Sequence, residues 1–263
     1  MHAFLSALTV AVLMGQNPAP QSAPAPAIDM TCPQLATAVQ RAGADAVRLR
    51  DWPQLSRYRE LNRTLLAPAA GESRVVFMGD SITDNWQQPR FGGFFPGKPY
   101  VDRGISGQTT PQMLIRFRPD VLDLSPKVVV ILAGTNDIAG NTGPMSNEEI
   151  EGDIESMADL AKAHGVKVVL SSIMPTSGYH APANGIPQTT QRPMDRIKAI
   201  NAWMKGYADK NGYVYLDYFS AMVDSTGVMK AELTADDLHP NADGYKIMTP
   251  LAEAAIQKAL GAK

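Results

Sequence analysis

From Arg74 onward, short apolar runs alternate with helical patterns, and this alternation is what most narrows the folds open to the chain. The runs are Arg74 to Met78 (RVVFM), Tyr100 to Arg103, Lys127 to Leu132 (KVVVIL), Val166 to Ser171 (VKVVLS) and Tyr213 to Leu216 (YVYL). Three of them are β-branched with little polar alternation, as expected of strands covered on both faces. Helical segments at 110–117, 147–164 and 192–211 lie between the runs, and a last one spans 241–260. Strand and helix in this order predict a parallel sheet of about five strands with right-handed crossovers and helices on both sides.

The chain has 263 residues, 44% hydrophobic and 19% charged, enough for one domain of about 200 residues that buries a full core without disulfides or metals. The expected partition is a leader and linker over 1–29, a helical extension over 30–71 and the main domain over 72–263. Its formal net charge of -2 lacks the one-sided basic footprint of a nucleic-acid binder. Cys32 is the single cysteine, so no internal disulfide can form, and it precedes the sheet-forming part of the chain, which argues against a catalytic thiol. The four histidines, His2, His164, His180 and His239, show no H-x-x-x-H pairing. No metal or cofactor is expected.

Ala3 to Gly15 is apolar but shorter than the roughly 20 residues that cross a bilayer as a helix, and it suits the core of a signal peptide. Asn17 to Ile28 (NPAPQSAPAPAI) is a Pro/Ala run with several Ala-x-Ala-like cleavage sites. Export, to a periplasm or the medium, is therefore expected, although no Lys or Arg precedes the apolar stretch. The alternative is a short tail on a cytoplasmic protein. Asp29-Met30-Thr31 is a poor approach to a lipid anchor on Cys32. Pro33 to Val47 and Pro53 to Leu66 carry apolar residues at helical spacing and each opens with a first-turn proline, predicting two helices that cover the main domain.

Ligands of open parallel sheets bind beyond the carboxyl ends of the strands, so the residues that follow each run are the candidates. The first run leads into Gly79-Asp80-Ser81-Ile82-Thr83, where a serine at a turn or helix start can present its hydroxyl to a cleft. Capping of the next helix by Asp80, Ser81 or Asp84 is the competing reading. The second and third runs end in Arg103-Gly104-Ile105-Ser106-Gly107 and Ala133-Gly134-Thr135-Asn136-Asp137, which bring small polar groups to the same sheet edge. The N–H groups of Ser81 and Gly104 and the Asn136 amide could serve as oxyanion donors. Asp236-Asp237-Leu238-His239-Pro240 supplies a base, His239, with an aspartate three residues earlier that can fold back to orient it. His164 reads as a helix-end histidine, and His180 lies in a long loop without a carboxylate nearby in sequence.

These four motifs, in this order from about Arg74 to Leu260, resemble the SGNH (GDSL) hydrolase family. Gly79-Asp80-Ser81-Ile82 is similar to its first block, Gly104 to the glycine of the second, Gly134-Thr135-Asn136-Asp137 to the third and Asp236-x-x-His239 to the fifth. The resemblance implies a flavodoxin-like three-layer α/β/α sandwich. It also implies a serine esterase with Ser81 as nucleophile, His239 as base, Asp236 orienting that base, and Gly104 and Asn136 holding the oxyanion. Ile82 stands where the family's name has leucine, at a position without chemistry. No G-x-S-x-G elbow, P-loop or G-x-G-x-x-G competes.

The substrate is less legible. Trp86, Phe91, Phe94 and Phe95 could wall a pocket or pack under a loop, and the connection from Thr176 to Thr190 could form a rim or lid. A short-chain acyl or acetyl esterase, with acetylated carbohydrate as one substrate class, is the leading expectation, and a lysophospholipase or thioesterase the alternative. A non-catalytic carbohydrate-binding protein on the same fold is the reading from another class. Small-molecule or carbohydrate esters are the expected partners, with no nucleic acid and no stable membrane span; the oligomeric state is left open.

Overall fold

The structure, a computed structural model, describes residues 31–261. The leader and linker expected over 1–29 lie outside them. The chain divides after Ala46 into two compact units. Helix α1 (Cys32–Arg50) begins in the first of these, and its Leu35 and Val39 are exposed. The second predicted helix is mostly a set of turns, and only α2 (Arg59–Thr64) is helical. Asp51 accounts for this: its carboxylate accepts the N–H groups of Leu55 and Ser56 at 2.7 and 2.8 Å, and Gln54 turns to a φ of 55°. The segment still packs on the main domain through Tyr58, which is buried and donates its hydroxyl to the Gly104 carbonyl.

The five runs form strands β1 (Val75–Gly79), β2 (Tyr100–Gly104), β3 (Val128–Leu132), β4 (Lys167–Ser171) and β5 (Val214–Leu216). All pairings are parallel, in the order β2-β1-β3-β4-β5. This is the flavodoxin-like order. The remaining helices are α3 (Ser81–Trp86), α4 (Thr110–Asp120), α5 (Thr135–Ile138), α6 (Asn147–Ala163), α7 (Gln188–Gln191), α8 (Met194–Asn211), α9 (Tyr218–Met222) and α10 (Ala242–Leu260).

Because side chains alternate along a strand, the apolar runs feed two cores. Val76, Met78, Val129, Ile131, Val168 and Leu170 meet α4, α6 and α8 on one face. Val75, Phe77, Val128, Val130, Leu132 and Leu216 meet α3, α9 and α10 on the other. Burying one such side chain is worth about 1.5–3 kcal/mol, so both layers hold the sheet firmly. The three-layer α/β/α sandwich expected from the sequence is the observed fold.

This topology positions the site. The chain leaves β1 for β2 on one side and returns to β3 on the other, opening a crevice above the carboxyl ends of β1 and β3. Ser81 follows β1 and Asn136 follows β3.

Candidate active site

Ser81 is the first residue of α3, and Asp80 before it caps the helix by accepting the Ile82 N–H at 2.9 Å. Asp80 thus supplies the cap, and Ser81 is not needed for it. The Ser81 N–H finds no acceptor among the described residues. Its hydroxyl lies 2.8 Å from His239 Nε2.

His239 is held by a tight turn. The Asp236 carboxylate accepts the N–H groups of Leu238 and His239 at 3.1 and 2.7 Å through Oδ1, and its Oδ2 stands 2.6 Å from His239 Nδ1. A carboxylate at Nδ1 keeps the proton there, so Nε2 is the acceptor facing Ser81. Burial works to raise the Asp236 carboxyl, but the hydrogen bonds and charge of His239 outweigh it and hold the group well below the usual carboxylate range. Asp236 is thus ionised whenever His239 needs it. The Asp236 side chain is 54% exposed and that of His239 30%, so the pair sits at the surface of the crevice rather than deep within it.

Asn136, buried in α5, donates through Nδ2 to the Gln108 carbonyl at 3.0 Å, which leaves its second amide hydrogen unused. Asp137 beside it turns away from the crevice and accepts the Thr110 N–H and hydroxyl at 2.8 and 2.6 Å. It joins α5 to the start of α4.

The expectation for Gly104 is corrected. Its N–H donates to Asp102 Oδ1 at 2.7 Å, at the sheet edge. A Cβ there would lie 2.1 Å from the Asp84 nitrogen, so glycine is required for the close approach of β2 to α3. Three residues on, Gly107 is exposed at a φ of 81°, and its N–H finds no acceptor among the described residues. It directly precedes Gln108, the residue that Asn136 holds. The second glycine of Gly104-Ile105-Ser106-Gly107 was the available signal.

The aromatic residues after the nucleophile are also settled. Trp86 and Phe95 are buried, and with Phe77, Phe94, Tyr218 and Tyr245 they form one cluster under α10 at centroid separations of 5.0 to 6.5 Å. Trp86 and Phe95 are core, and Phe91 and Phe94 pack against it half-buried.

His180 does have a carboxylate partner, 57 residues away in sequence. Asp237, buried at a φ of 67°, accepts the Ser177 hydroxyl at 2.6 Å and the His180 N–H at 2.9 Å, and its Oδ1 lies 3.0 Å from His180 Nδ1. The rim segment is thereby pinned to the loop that carries Asp236 and His239. His164 ends α6 as expected, its Nδ1 2.8 Å from the Leu160 carbonyl.

Burial pushes the Asp80 carboxyl up to about 6, opposed by the Ile82 N–H and by the nearby His239 and Arg192. Among the described residues no helix is long and apolar enough to cross a membrane, and no cluster of side chains is arranged to hold a metal ion.

Two solved structures resemble the whole domain. One is a protein of Bacteroides fragilis described as an acylhydrolase, 41% identical with a TM-score of 0.72, over 80% of this chain and 98% of that one. The other is a GDSL-like lipase of Bacteroides thetaiotaomicron, 40% identical with a TM-score of 0.71, over 79% of this chain and 98% of that one. A shorter match, 35% identical over 78 residues, is to an uncharacterized lipoprotein of Bacillus subtilis and spans 28% of this chain and 32% of the relative. The model of the GDSL-like lipase/acylhydrolase family matches residues 77–247, which take in the Ser81, Asn136 and His239 motifs, and the chain belongs to that family of ester hydrolases.

Proposed function

We propose that the chain is a serine esterase that hydrolyses short-chain acyl esters, acetyl esters first among them, through an acyl-enzyme on Ser81. The observation that carries this reading is the hydrogen-bonded line from Ser81 Oγ to His239 Nε2 at 2.8 Å and from His239 Nδ1 to Asp236 Oδ2 at 2.6 Å. Ser81 Oγ attacks the ester carbonyl while His239 takes its proton, and Asp236 stabilises the resulting imidazolium. The negative charge on the former carbonyl oxygen is met by the N–H groups of Ser81 and Gly107 and the free amide hydrogen of Asn136. As the tetrahedral intermediate collapses, the alcohol leaves with the proton from His239. Water, deprotonated by the same histidine, then releases the carboxylic acid and restores Ser81.

The partly exposed setting of His239 and Asp236 favours a polar alcohol such as an acetylated carbohydrate. Export belongs to the same reading: an apolar stretch and a Pro/Ala run precede the domain, and the relative from Bacillus subtilis is named a lipoprotein.

Turnover of p-nitrophenyl acetate tests the activity, and an organophosphonate tests the nucleophile. Ser81→Ala should fold as the wild type and lose turnover, because a half-buried hydroxyl contributes little packing. Labelling should occur at Ser81 alone, and label retained by the alanine variant would show a different nucleophile. Absence of turnover on any ester, with sugar binding intact, would favour the carbohydrate-binding alternative.

A further inference from the structure

Arg192 stands at the end of α7, where the long connection after β4 returns to the sheet, and its guanidinium is buried. All its acceptors are neutral. Nε donates to the Thr135 carbonyl and hydroxyl, both at 3.1 Å, Nη1 to Gln188 Oε1 at 2.5 Å, and Nη2 reaches Asn136 Oδ1 at 3.5 Å. Among the described residues no carboxylate pairs with it directly. Burial works against its charge, and Asp80 and Asp236 offset this only from a distance, with no direct pairing. Its position explains it better than its contribution to stability does.

We propose that Arg192 is a positioning residue for the oxyanion donor, its planar fork fixing Thr135 and the Asn136 amide in the orientation the reaction needs. Asn136 is held through Nδ2 by the Gln108 carbonyl at 3.0 Å, while its Oδ1 faces Arg192 Nη2 at a longer 3.5 Å and its own peptide is held by Arg192 Nε at the Thr135 carbonyl. Together these contacts stop the amide from rotating, and the remaining N–H keeps one direction. Losing the Arg192 side frees the amide to swing, and its carbonyl edge can then approach the developing oxyanion, which repels it. Gln188 on the same fork links this arrangement to the rim connection. The guanidinium acts by geometry, so a charge without the fork does not replace it.

The proposal rests on the reading of Asn136 as an oxyanion donor, and a double-mutant cycle separates the two. Steady-state kinetics with p-nitrophenyl acetate are compared for wild type, Arg192→Met, Arg192→Lys, Asn136→Ala and both double variants, with circular dichroism and thermal melting to establish folding. Arg192→Met should lower kcat on the order of 10²-fold, the scale of a small misplacement, with KM nearly unchanged. Arg192→Lys should lose most of the same factor. In the Asn136→Ala background either change at 192 should have little further effect, since the group it positions is gone. Full additivity in that background, full activity in Arg192→Lys, or a loss confined to KM would each overturn the proposal. Should Arg192→Met fail to fold, the lysine cycle alone decides. If instead Asn136→Ala leaves kcat intact, the oxyanion reading itself fails, whatever Arg192 does.

Discussion

Two residues after the strands that flank β1, Gly104 at the end of β2 and Asn136 beyond β3, differ in their bonding although their sequence contexts look alike. Asn136 keeps a free amide hydrogen, whereas Gly104 has its N–H engaged by Asp102 and no room for a side chain. Asn136→Ala should therefore lower kcat by on the order of 10² to 10³ with KM nearly constant and the melting temperature little changed. Gly104→Ala should instead lower the melting temperature, because its methyl would press on the α3 backbone. Steady-state kinetics and thermal melts of the pair distinguish them, and a raised KM with normal kcat would make Asn136 a ground-state binder. Asp102 itself gives a pH signature. Burial foremost, with Asp84 adding to it, pushes its carboxyl from 3.8 up to about 7 against the Gly104 N–H and the neighbouring Arg103 and Arg116. An acid raised by folding favours its neutral form, so the stability it adds is complete below about 4 and lost as pH climbs through about 7. Asp102→Asn, which cannot ionise yet still accepts the Gly104 N–H, should melt higher relative to wild type at pH 8 than at pH 4. An equal difference at both pH values would show that Asp102 does not titrate there.

At the scale of elements, the strands were the most legible feature, and each of the five lies within a residue of its apolar run. A doubly covered strand has one physical demand, continuous apolar character, and that is visible in a single window. Helix α4 runs on to Asp120, past the predicted end at 117, because Pro119 sits in its last turn and removes a hydrogen bond only from the carbonyl of Ile115, an exposed residue that water can reach. The turns at 53–57 carry the apolar spacing of a helix but are wound by a side chain, Asp51, and apolar spacing does not report side-chain caps. In the site, Ser81, Asn136, Asp236 and His239 were legible through motifs whose chemistry demands those residue types. Arg192, and the pairing of His180 with Asp237, were not, since each acts across about 57 residues through contacts that only the fold creates. Asp237 yields a test at this scale. Its φ of 67° favours glycine, yet its carboxylate clamps Ser177 and His180. Asp237→Ala keeps the strained backbone and loses the clamp, while Asp237→Gly relieves the strain and loses the same clamp. Both should speed amide hydrogen exchange at 177–180, and alanine should melt lower than glycine. Unchanged exchange in both would mean the rim is held by other contacts.

Over the whole molecule, the fold closes a gap of 158 residues between Ser81 and His239, and the His239 and Asp236 side chains it brings there stay partly exposed. The largest aromatic side chains that follow Ser81, Trp86 and Phe95, are committed to the core between the sheet and α10. A cavity of 530 Å³ does exist, but Lys162, Lys167, Val214 and Lys258 line it at the amino ends of β4 and β5, the opposite edge of the sheet from Ser81. In the connection after β4, Tyr179 is exposed with its hydroxyl bonded to Asp224 Oδ2 at 2.7 Å. Each further CH₂ of an acyl chain contributes about 0.8 kcal/mol only when it is buried, and an exposed rim buries few of them. For p-nitrophenyl esters from acetyl to decanoyl, kcat/KM should therefore be highest between acetyl and butyryl and fall from octanoyl onward. Longer tails remain in water, and the cost of ordering them is not recovered. Ile186, exposed, is the one large aliphatic side chain of the connection over 176–190, so Ile186→Ala should leave acetyl turnover unchanged and affect at most the longer esters. A steady rise in kcat/KM through decanoyl, lost in Ile186→Ala, would show that the rim closes over the substrate to form a buried channel, and would move the specificity to the lysophospholipase or thioesterase class.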